Sequence, residues 1–155
     1  MTFNKKEQSL LKDLQSEEKM CAEKYRKAAE NANDPFLQQM FNEIGQDEQE
    51  HYETVTQMLS GVMPEPSDKA NRKSRSGEKS PEALKSKVGR AAKQQDQYLL
   101  DDLLATEKFV SGAYNTSVFE FSDEKARQTL SKIQQQEQHH GKQLSAYMQA
   151  NGMYC

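Results

Sequence analysis

Apolar residues recur along the chain at steps of three and four, the spacing that places side chains on one face of an α-helix. Four segments with this pattern predict helices over residues 5–31, 35–59, 81–120 and 123–150. Capping signals set the first boundaries. Asn4 with Glu7 forms a capping-box start, and Asp34–Pro35 supplies a cap followed by a first-turn proline. Gly61 ends the second helix.

The chain also carries an internal repeat. When the sequence is shifted by 89 residues, positions 10–59 lie over positions 99–148 without a gap, and 14 of the 50 aligned residues are identical. Shared helical bias explains matched leucines but not matched glutamate, tyrosine and histidine at a fixed register. The sequence therefore predicts two copies of one helical hairpin.

Short links at 32–34 and 121–122 make each helix pair an antiparallel hairpin, one over 4–60 and the other over 81–151. The third helix is expected to begin at Ser80–Pro81, with a weak point at Gly89. Residues 61–80 form a basic, Ser- and Pro-rich crossover, for which a solvated linker is favoured over a docking site. The predicted fold is a single all-α domain over 1–155, a four-helix bundle of two repeated antiparallel hairpins joined by a long crossover.

The composition fits long helices with a narrow apolar stripe. Apolar residues make up 34% of the chain, the mean hydropathy is −1.03, and there are 17 glutamines. A net charge of −3 gives no support to a nucleic-acid or membrane-surface role. No apolar run approaches the roughly 20 residues that span a bilayer. Residues 1–11 are too polar for a signal peptide, so synthesis inside a cell is expected. The two cysteines, Cys21 and Cys155, are too few for a disulfide framework.

Acidic residues and histidines interrupt the inward face of every predicted helix. A buried, isolated carboxylate is so unfavourable that it normally becomes neutral, and four at one level would repel each other and raise their pKa values. Two divalent cations would balance four carboxylates, with neutral imidazoles completing the coordination. One Glu from each of two helices and a Glu-x-x-His motif from each of the others therefore predict a centre of two Fe or two Mn ions. The predicted ligands are Glu18, Glu48, His51, Glu107, Glu137 and His140.

These motifs resemble the ferritin-like superfamily of di-metal carboxylate proteins, particularly rubrerythrins and bacterioferritins, over nearly the whole chain outside the crossover. In those families a tyrosine near the metals follows the first-helix glutamate by seven residues. Tyr25 and Tyr114 match that position, and the resemblance implies a catalytic role for them, although a core tyrosine satisfies the same spacing. The resemblance also implies a ferritin-like fold and reaction with O2 or peroxide as a ferroxidase, peroxidase or catalase-like enzyme.

Four segments of the second hairpin resemble the Coat F family of bacterial spore coat proteins: LDDLLATEK (100–108), AYNT (113–116), QEQHHG (136–141) and YMQANGMY (147–154). This resemblance implies synthesis in the mother-cell cytoplasm and a place in the spore coat or on the spore surface. The expected partners are metal ions and a small oxidant, from the ligand set, and other spore coat proteins, from the Coat F resemblance. Further copies of the chain are also expected as partners. The alternative is a non-enzymatic structural coat protein, packed and cross-linked through its Gln- and Lys-rich faces.

Overall fold

The computed structural model describes residues 2–64 and 79–154, and within these ranges it contains helices and no strand. No helix of the described ranges is both long and apolar enough to cross a membrane. The prediction of an all-α four-helix bundle is confirmed. The helices are α1 Lys5–Asn31, α2 Pro35–Leu59, α3 Arg90–Glu120 and α4 Glu124–Ala150.

The predicted caps of the first hairpin are confirmed. The Asn4 side chain accepts a hydrogen bond from the Glu7 backbone N–H at 2.8 Å, and the Glu7 carboxylate accepts one from the Asn4 N–H at 2.9 Å. Asp34 caps α2 by accepting from the Phe36 N–H at 3.0 Å. Gly61 follows α2 with a φ of 88°, in the left-handed region that glycine adopts without steric cost.

The start of the third helix was predicted too early. Residues 80–84 form a turn, and α3 begins only at Arg90, after Gly89. The intervening backbone is held by Asn151, whose side chain accepts from the Ser86 N–H at 2.7 Å and donates to the Leu84 carbonyl at 2.9 Å. These bonds satisfy backbone groups that would otherwise need partners within a helix.

The direction of α3 relative to α1 follows from two ion pairs. Lys6 Nζ lies 2.7 Å from Glu120 Oε2, and Lys24 Nζ lies 3.0 Å from Asp102 Oδ1. The residue number rises along α1 as it falls along α3, so these helices are antiparallel.

The α2–α4 pair has the same arrangement. Asp34 Oδ2 lies 2.5 Å from the Tyr147 hydroxyl, and Asp47 Oδ2 lies 2.9 Å from His140 Nε2. Since α1 also runs antiparallel to α2, helices α2 and α3 run parallel. The predicted 61–80 crossover lies mainly outside the described residues, as does Cys155.

Two apolar clusters fill the bundle interior and leave a polar level between them. On every helix, the predicted metal ligands lie in sequence between residues of one cluster and residues of the other. Cys21, on the inward face of α1, is 1% exposed and belongs to the second cluster. Representative members are Leu37, Phe41, Leu100 and Leu144 in the first cluster and Leu11, Val55, Val110 and Leu130 in the second.

The two hairpins are joined by a repeated clamp. Asp96 Oδ1 accepts from the Asn33 N–H at 2.7 Å, and its Oδ2 accepts from the Asp34 N–H at 3.0 Å. At the other end, Glu7 Oε2 accepts from the Ser122 N–H at 3.2 Å. The 89-residue shift that relates the hairpins places Glu7 over Asp96 and Asn33 over Ser122. Each hairpin therefore uses the start of its first helix to hold the other hairpin's loop.

The Asp96 clamp predicts a measurable loss of stability. Asp96 is fully buried, and Asp96→Ala would leave the N–H groups of Asn33 and Asp34 without their acceptor. We expect the unfolding free energy to fall by about 2–3 kcal/mol, because hydrogen bonds to charged groups have about this strength. Urea unfolding followed by circular dichroism measures the change. Asp101→Ala, at an exposed site on the same helix, is the matched control, and equal midpoints for the two variants would contradict the clamp.

Candidate metal centre

All six predicted metal ligands lie at one level of the bundle interior, and none is more than 3% exposed. Each helix places its side chains there because the glutamates and histidines occupy stripe positions that are otherwise apolar. In α2 and α4 the Glu-x-x-His spacing puts both functional groups about one turn apart on the same face. His139, which is adjacent to the motif in α4, is exposed, as its rotation of about 100° from His140 predicts.

The first group of converging ligand atoms comes from Glu18, Glu48, His51 and Glu137. His51 Nδ1 lies 2.8 Å from Glu137 Oε1 and 3.7 Å from both Glu18 Oε2 and Glu48 Oε2. The ligand atoms of the group all lie within 4.8 Å of one another. We call this set the first subsite.

The second group comes from Glu48, Glu107, Glu137 and His140. His140 Nδ1 lies 2.9 Å from Glu48 Oε1 and 3.4 Å from Glu107 Oε1, and Glu137 Oε2 is 3.9 Å away. We call this set the second subsite. Glu48 and Glu137 belong to both subsites and turn one carboxylate oxygen toward each histidine. The sequence pattern assigns the glutamate and the histidine of each Glu-x-x-His motif to one metal. In the structure, the glutamate of each motif instead contributes to both subsites.

The converging atoms lack hydrogen-bond partners. Both oxygens of Glu48 and Glu137, one oxygen each of Glu18 and Glu107, and the Nδ1 atom of each histidine are buried without a hydrogen bond. These atoms lie close to one another, yet no hydrogen bond satisfies them. Buried polar atoms are normally satisfied, and an orphaned set of this size is costly. Oxygen donors with neutral imidazole nitrogens suit Fe(II) and Mn(II), so the residues present fit two such ions.

Without a cation, the side chains share protons. Burial, reinforced by neighbouring carboxylates, raises the pKa of Glu48 well above its usual range and that of Glu107 to about 8. Burial would lower the pKa values of His51 and His140, but the surrounding carboxylates raise both well above the usual range. For Glu137 the expected rise was wrong. Burial favours its neutral form, yet the close approach of Glu107 and both histidines holds its pKa well below the usual range.

Tyr25 and Tyr114 lie behind the centre rather than among its converging atoms. The Tyr25 hydroxyl donates to Glu107 Oε1 at 2.6 Å, and the Tyr114 hydroxyl donates to Glu18 Oε1 at 2.7 Å. Burial, followed by the nearby carboxylates, raises the pKa of both tyrosines well above the usual range, so both hydroxyls keep their protons. Glu18 and Glu107 each belong to one subsite only, and we call them the terminal glutamates. Each tyrosine therefore orients the terminal glutamate of the other hairpin. Their catalytic role stays a prediction.

Sequence reasoning missed the residues that contact the outer nitrogens of the histidines. His140 Nε2 donates to Asp47 Oδ2 at 2.9 Å, and His51 Nε2 donates to Gln136 Oε1. In a neutral imidazole, the proton on Nε2 leaves Nδ1 free to bind a cation. The available signal was positional, because Asp47 and Gln136 each precede the glutamate of a Glu-x-x-His motif.

The protonation pattern predicts how the metal-free protein responds to pH. The pKa of Glu107 is about 8 in the folded state against an ordinary value of 4.5, and both histidines lie well above 6.5. Between about pH 6 and about pH 9 the folded state thus binds more protons than the unfolded state, and its unfolding free energy should fall as the pH rises. Each extra proton contributes a slope of about 1.4 kcal/mol per pH unit. Urea unfolding in chelator-treated buffers measures this slope.

Glu107→Gln should flatten that slope, whereas Glu124→Gln, at an exposed site on α4, should leave it unchanged. The lowered pKa of Glu137 contributes to the unfolding free energy, and this contribution is lost only as the pH falls below 4.5, the pKa of Glu137 in the unfolded chain. It therefore does not change the sign of the slope between about pH 6 and about pH 9. A metal-free protein that becomes more stable from about pH 6 to about pH 9 would contradict the proton-sharing description.

One comparison with known proteins gives a match. Residues 95–154 match the family model of the Coat F domain. The matched segment contains most of α3 and all of α4, and with them three predicted ligands, Glu107, Glu137 and His140. Neither the curated proteins nor the solved structures contain a match to this chain. By this comparison, the second hairpin is similar to the Coat F domain.

Proposed function

We propose that this protein is a ferritin-like component of the bacterial spore coat that binds two Fe or two Mn ions and reacts with O2 or peroxide. The observation that carries the metal proposal is the set of buried, unpartnered oxygen and nitrogen atoms that converge on two overlapping subsites. The match of residues 95–154 to the Coat F domain supports the proposed location.

The residues around such a centre have different roles. Glu48 and Glu137 bridge the two subsites, while a terminal glutamate and a histidine complete each one. Two bound Fe(II) or Mn(II) ions would supply the two electrons that, with two protons, reduce hydrogen peroxide to two water molecules. The tyrosine hydroxyls orient the terminal glutamates from behind. The two apolar clusters surround the polar level and exclude bulk water from it.

The second candidate function is a structural coat protein without enzymatic activity. It is favoured by aromatic side chains that lie exposed on α3, within the segment that matches the Coat F domain. Tyr98 is 75% exposed, Phe109 63% and Phe119 73%. Such side chains can pack against other coat proteins or further copies of the chain. The two functions are compatible, since the aromatic residues face outward and the proposed metal ligands face inward.

Metal content tests the proposed centre. Metal-free protein that is titrated anaerobically with Fe(II) or Mn(II) should bind about two ions per chain, because the four carboxylates balance two divalent cations. Glu48→Gln combined with Glu137→Gln should lose both ions, since these residues belong to both subsites. Elemental analysis after desalting gives the stoichiometry.

The matched control carries Glu53→Gln and Glu124→Gln, two exposed substitutions on the same helices. It should bind metal like the parent. A parent stoichiometry near zero, or equal binding by the two double variants, would exclude the proposed centre and leave the structural candidate.

Reaction with oxidant tests the proposed chemistry and the tyrosines. The reduced, metal-loaded parent should react with hydrogen peroxide or O2 at least about tenfold faster than the Glu48→Ala, Glu137→Ala variant. Tyr25→Phe should retain both metals but react more slowly, because the lost hydroxyl no longer orients Glu107. Stopped-flow absorbance follows the reaction, with elemental analysis as the second readout. Tyr147→Phe, which alters a tyrosine bonded to Asp34, is the control. Equal rates for the parent and the glutamate variant would assign the site a purely structural role.

A further inference from the structure

The two histidines of the centre have chemically different partners on their outer nitrogens. His140 donates from Nε2 to the carboxylate of Asp47, whereas His51 donates from Nε2 to the side-chain amide of Gln136. The 89-residue shift places Asp47 directly over Gln136. The contacts are therefore equivalent in position and differ in charge.

Other features around the centre follow the repeat closely. The bond from Tyr25 to Glu107 has its counterpart in the bond from Tyr114 to Glu18, with lengths of 2.6 and 2.7 Å. The bridging glutamates are also repeat equivalents. The exchange of a carboxylate for an amide thus breaks the match between two subsites whose ligand residues are repeat equivalents.

We infer that the two subsites bind divalent cations with unequal affinity, and that Asp47 makes the second subsite, with His140 and Glu107, the tighter one. The inference rests on the proposed function and adds an order of loading to it. The first cation would bind at the second subsite, where Glu48 and Glu137 are among its ligands. The other cation would then bind at the first subsite, which shares these two glutamates.

Charge is the first reason for the inequality. A carboxylate that accepts a hydrogen bond from the outer nitrogen of an imidazole increases the electron density on the other nitrogen, which becomes a better ligand. Asp47 does this for His140 at 2.9 Å. A neutral amide such as Gln136 polarises His51 less, because hydrogen bonds to ionised groups are roughly twice as strong.

The choice of tautomer is the second reason. A carboxylate only accepts, so Asp47 requires the proton of neutral His140 on Nε2 and leaves Nδ1 free for a cation. The amide of Gln136 has both an acceptor oxygen and a donor nitrogen. When rotated, it stabilises the opposite tautomer of His51, in which Nδ1 carries the proton and cannot bind a metal. Once both histidines are neutral, the second subsite is therefore better organised for a cation.

Solvent limits the size of the effect. The side chain of Asp47 is 51% exposed, although His140 itself is buried, so water screens part of its charge. Substitution of residues behind metal-bound histidines typically changes metal affinity by about 10–100-fold. We expect the metal affinities of the two subsites to differ by a factor near the lower end of this range, about tenfold.

Glu17 is a second departure from the repeat, because its counterpart in the other hairpin is Thr106. It is adjacent to Glu18 but belongs to neither group of ligand atoms. A negative charge at this position would favour the first subsite, the opposite of the inferred effect of Asp47. Glu17→Gln therefore separates the two influences and should leave the second subsite the tighter one.

The test uses the full chain with one subsite disabled at a time. Glu18→Gln disables the first subsite and Glu107→Gln the second, and both replacements preserve side-chain shape. Asp47→Asn and Gln136→Glu are then added to each protein in turn. Metal-free samples are titrated with Mn(II) at one fixed pH and ionic strength, and free Mn(II) is measured by electron paramagnetic resonance. Circular dichroism verifies that each variant is folded.

With only the second subsite active, Asp47→Asn should weaken Mn(II) binding about tenfold and Gln136→Glu should have little effect. With only the first subsite active, Gln136→Glu should strengthen binding by a similar factor and Asp47→Asn should have little effect. In the otherwise unaltered chain, where both subsites bind, Asp47→Asn alone should bring the two binding steps together. This last comparison does not depend on the folding of the disabled proteins.

Two equal binding steps in the parent that Asp47→Asn does not change would overturn the inference while leaving the proposed metal centre intact. Asp47 would also lose its inferred role if Glu17→Gln, rather than Asp47→Asn, removed the difference between the steps. A folded parent that binds no Mn(II) would overturn the proposed centre and the inference together.

Discussion

Four carboxylates and two imidazoles face one another inside a bundle that is otherwise filled with apolar side chains. In the absence of a cation, burial and mutual repulsion oppose full ionisation of the carboxylates, and the groups respond by sharing protons. The raised pKa values of Glu48 and Glu107, with the lowered pKa of Glu137, describe this compromise. Eight ligand atoms of these six residues nevertheless remain without hydrogen bonds. Charge balance by two divalent cations would remove both the repulsion and the unmet hydrogen-bonding capacity.

The duplicated hairpin explains how a single sequence pattern produces both subsites. Each copy contributes one terminal glutamate, one bridging glutamate and one histidine, and antiparallel docking of α1 on α3 and of α2 on α4 brings them to one level. The same docking explains why each tyrosine contacts the other hairpin's glutamate. The clamps formed by Glu7 and Asp96 fix the ends of the bundle. The alignment of the metal ligands therefore depends on contacts at both ends of the helices.

Much of this arrangement could be predicted from the sequence, since a glutamate or histidine on an apolar stripe is visible without coordinates. The helix period placed all six ligands inward, and the repeat related them in pairs. The start of α3 was predicted incorrectly for a different reason. Ser80–Pro81 has the composition of a helix start, but the partner that stabilises the non-helical backbone is Asn151, which is distant in sequence. Local propensity does not include such a partner.

Asp47 and Gln136 were missed for a geometric reason. A residue that precedes a stripe position is rotated about 100° away from it, so the pattern assigns it to the surface. Its contact with a histidine depends on the packing of α2 against α4. The choice of which buried glutamate holds the proton depends similarly on oxygen positions that no sequence pattern specifies.

Anomalous X-ray diffraction from crystals grown with Mn(II) tests the central claim most directly, because it locates the ions among the side chains. Two peaks about 3.5–4 Å apart are predicted, the separation typical of paired metal sites. Both should lie between Glu48 and Glu137, with one beside His51 and the other beside His140. Crystals that contain Mn(II) elsewhere, with no peak at this level of the bundle, would contradict the assignment of these six residues as metal ligands.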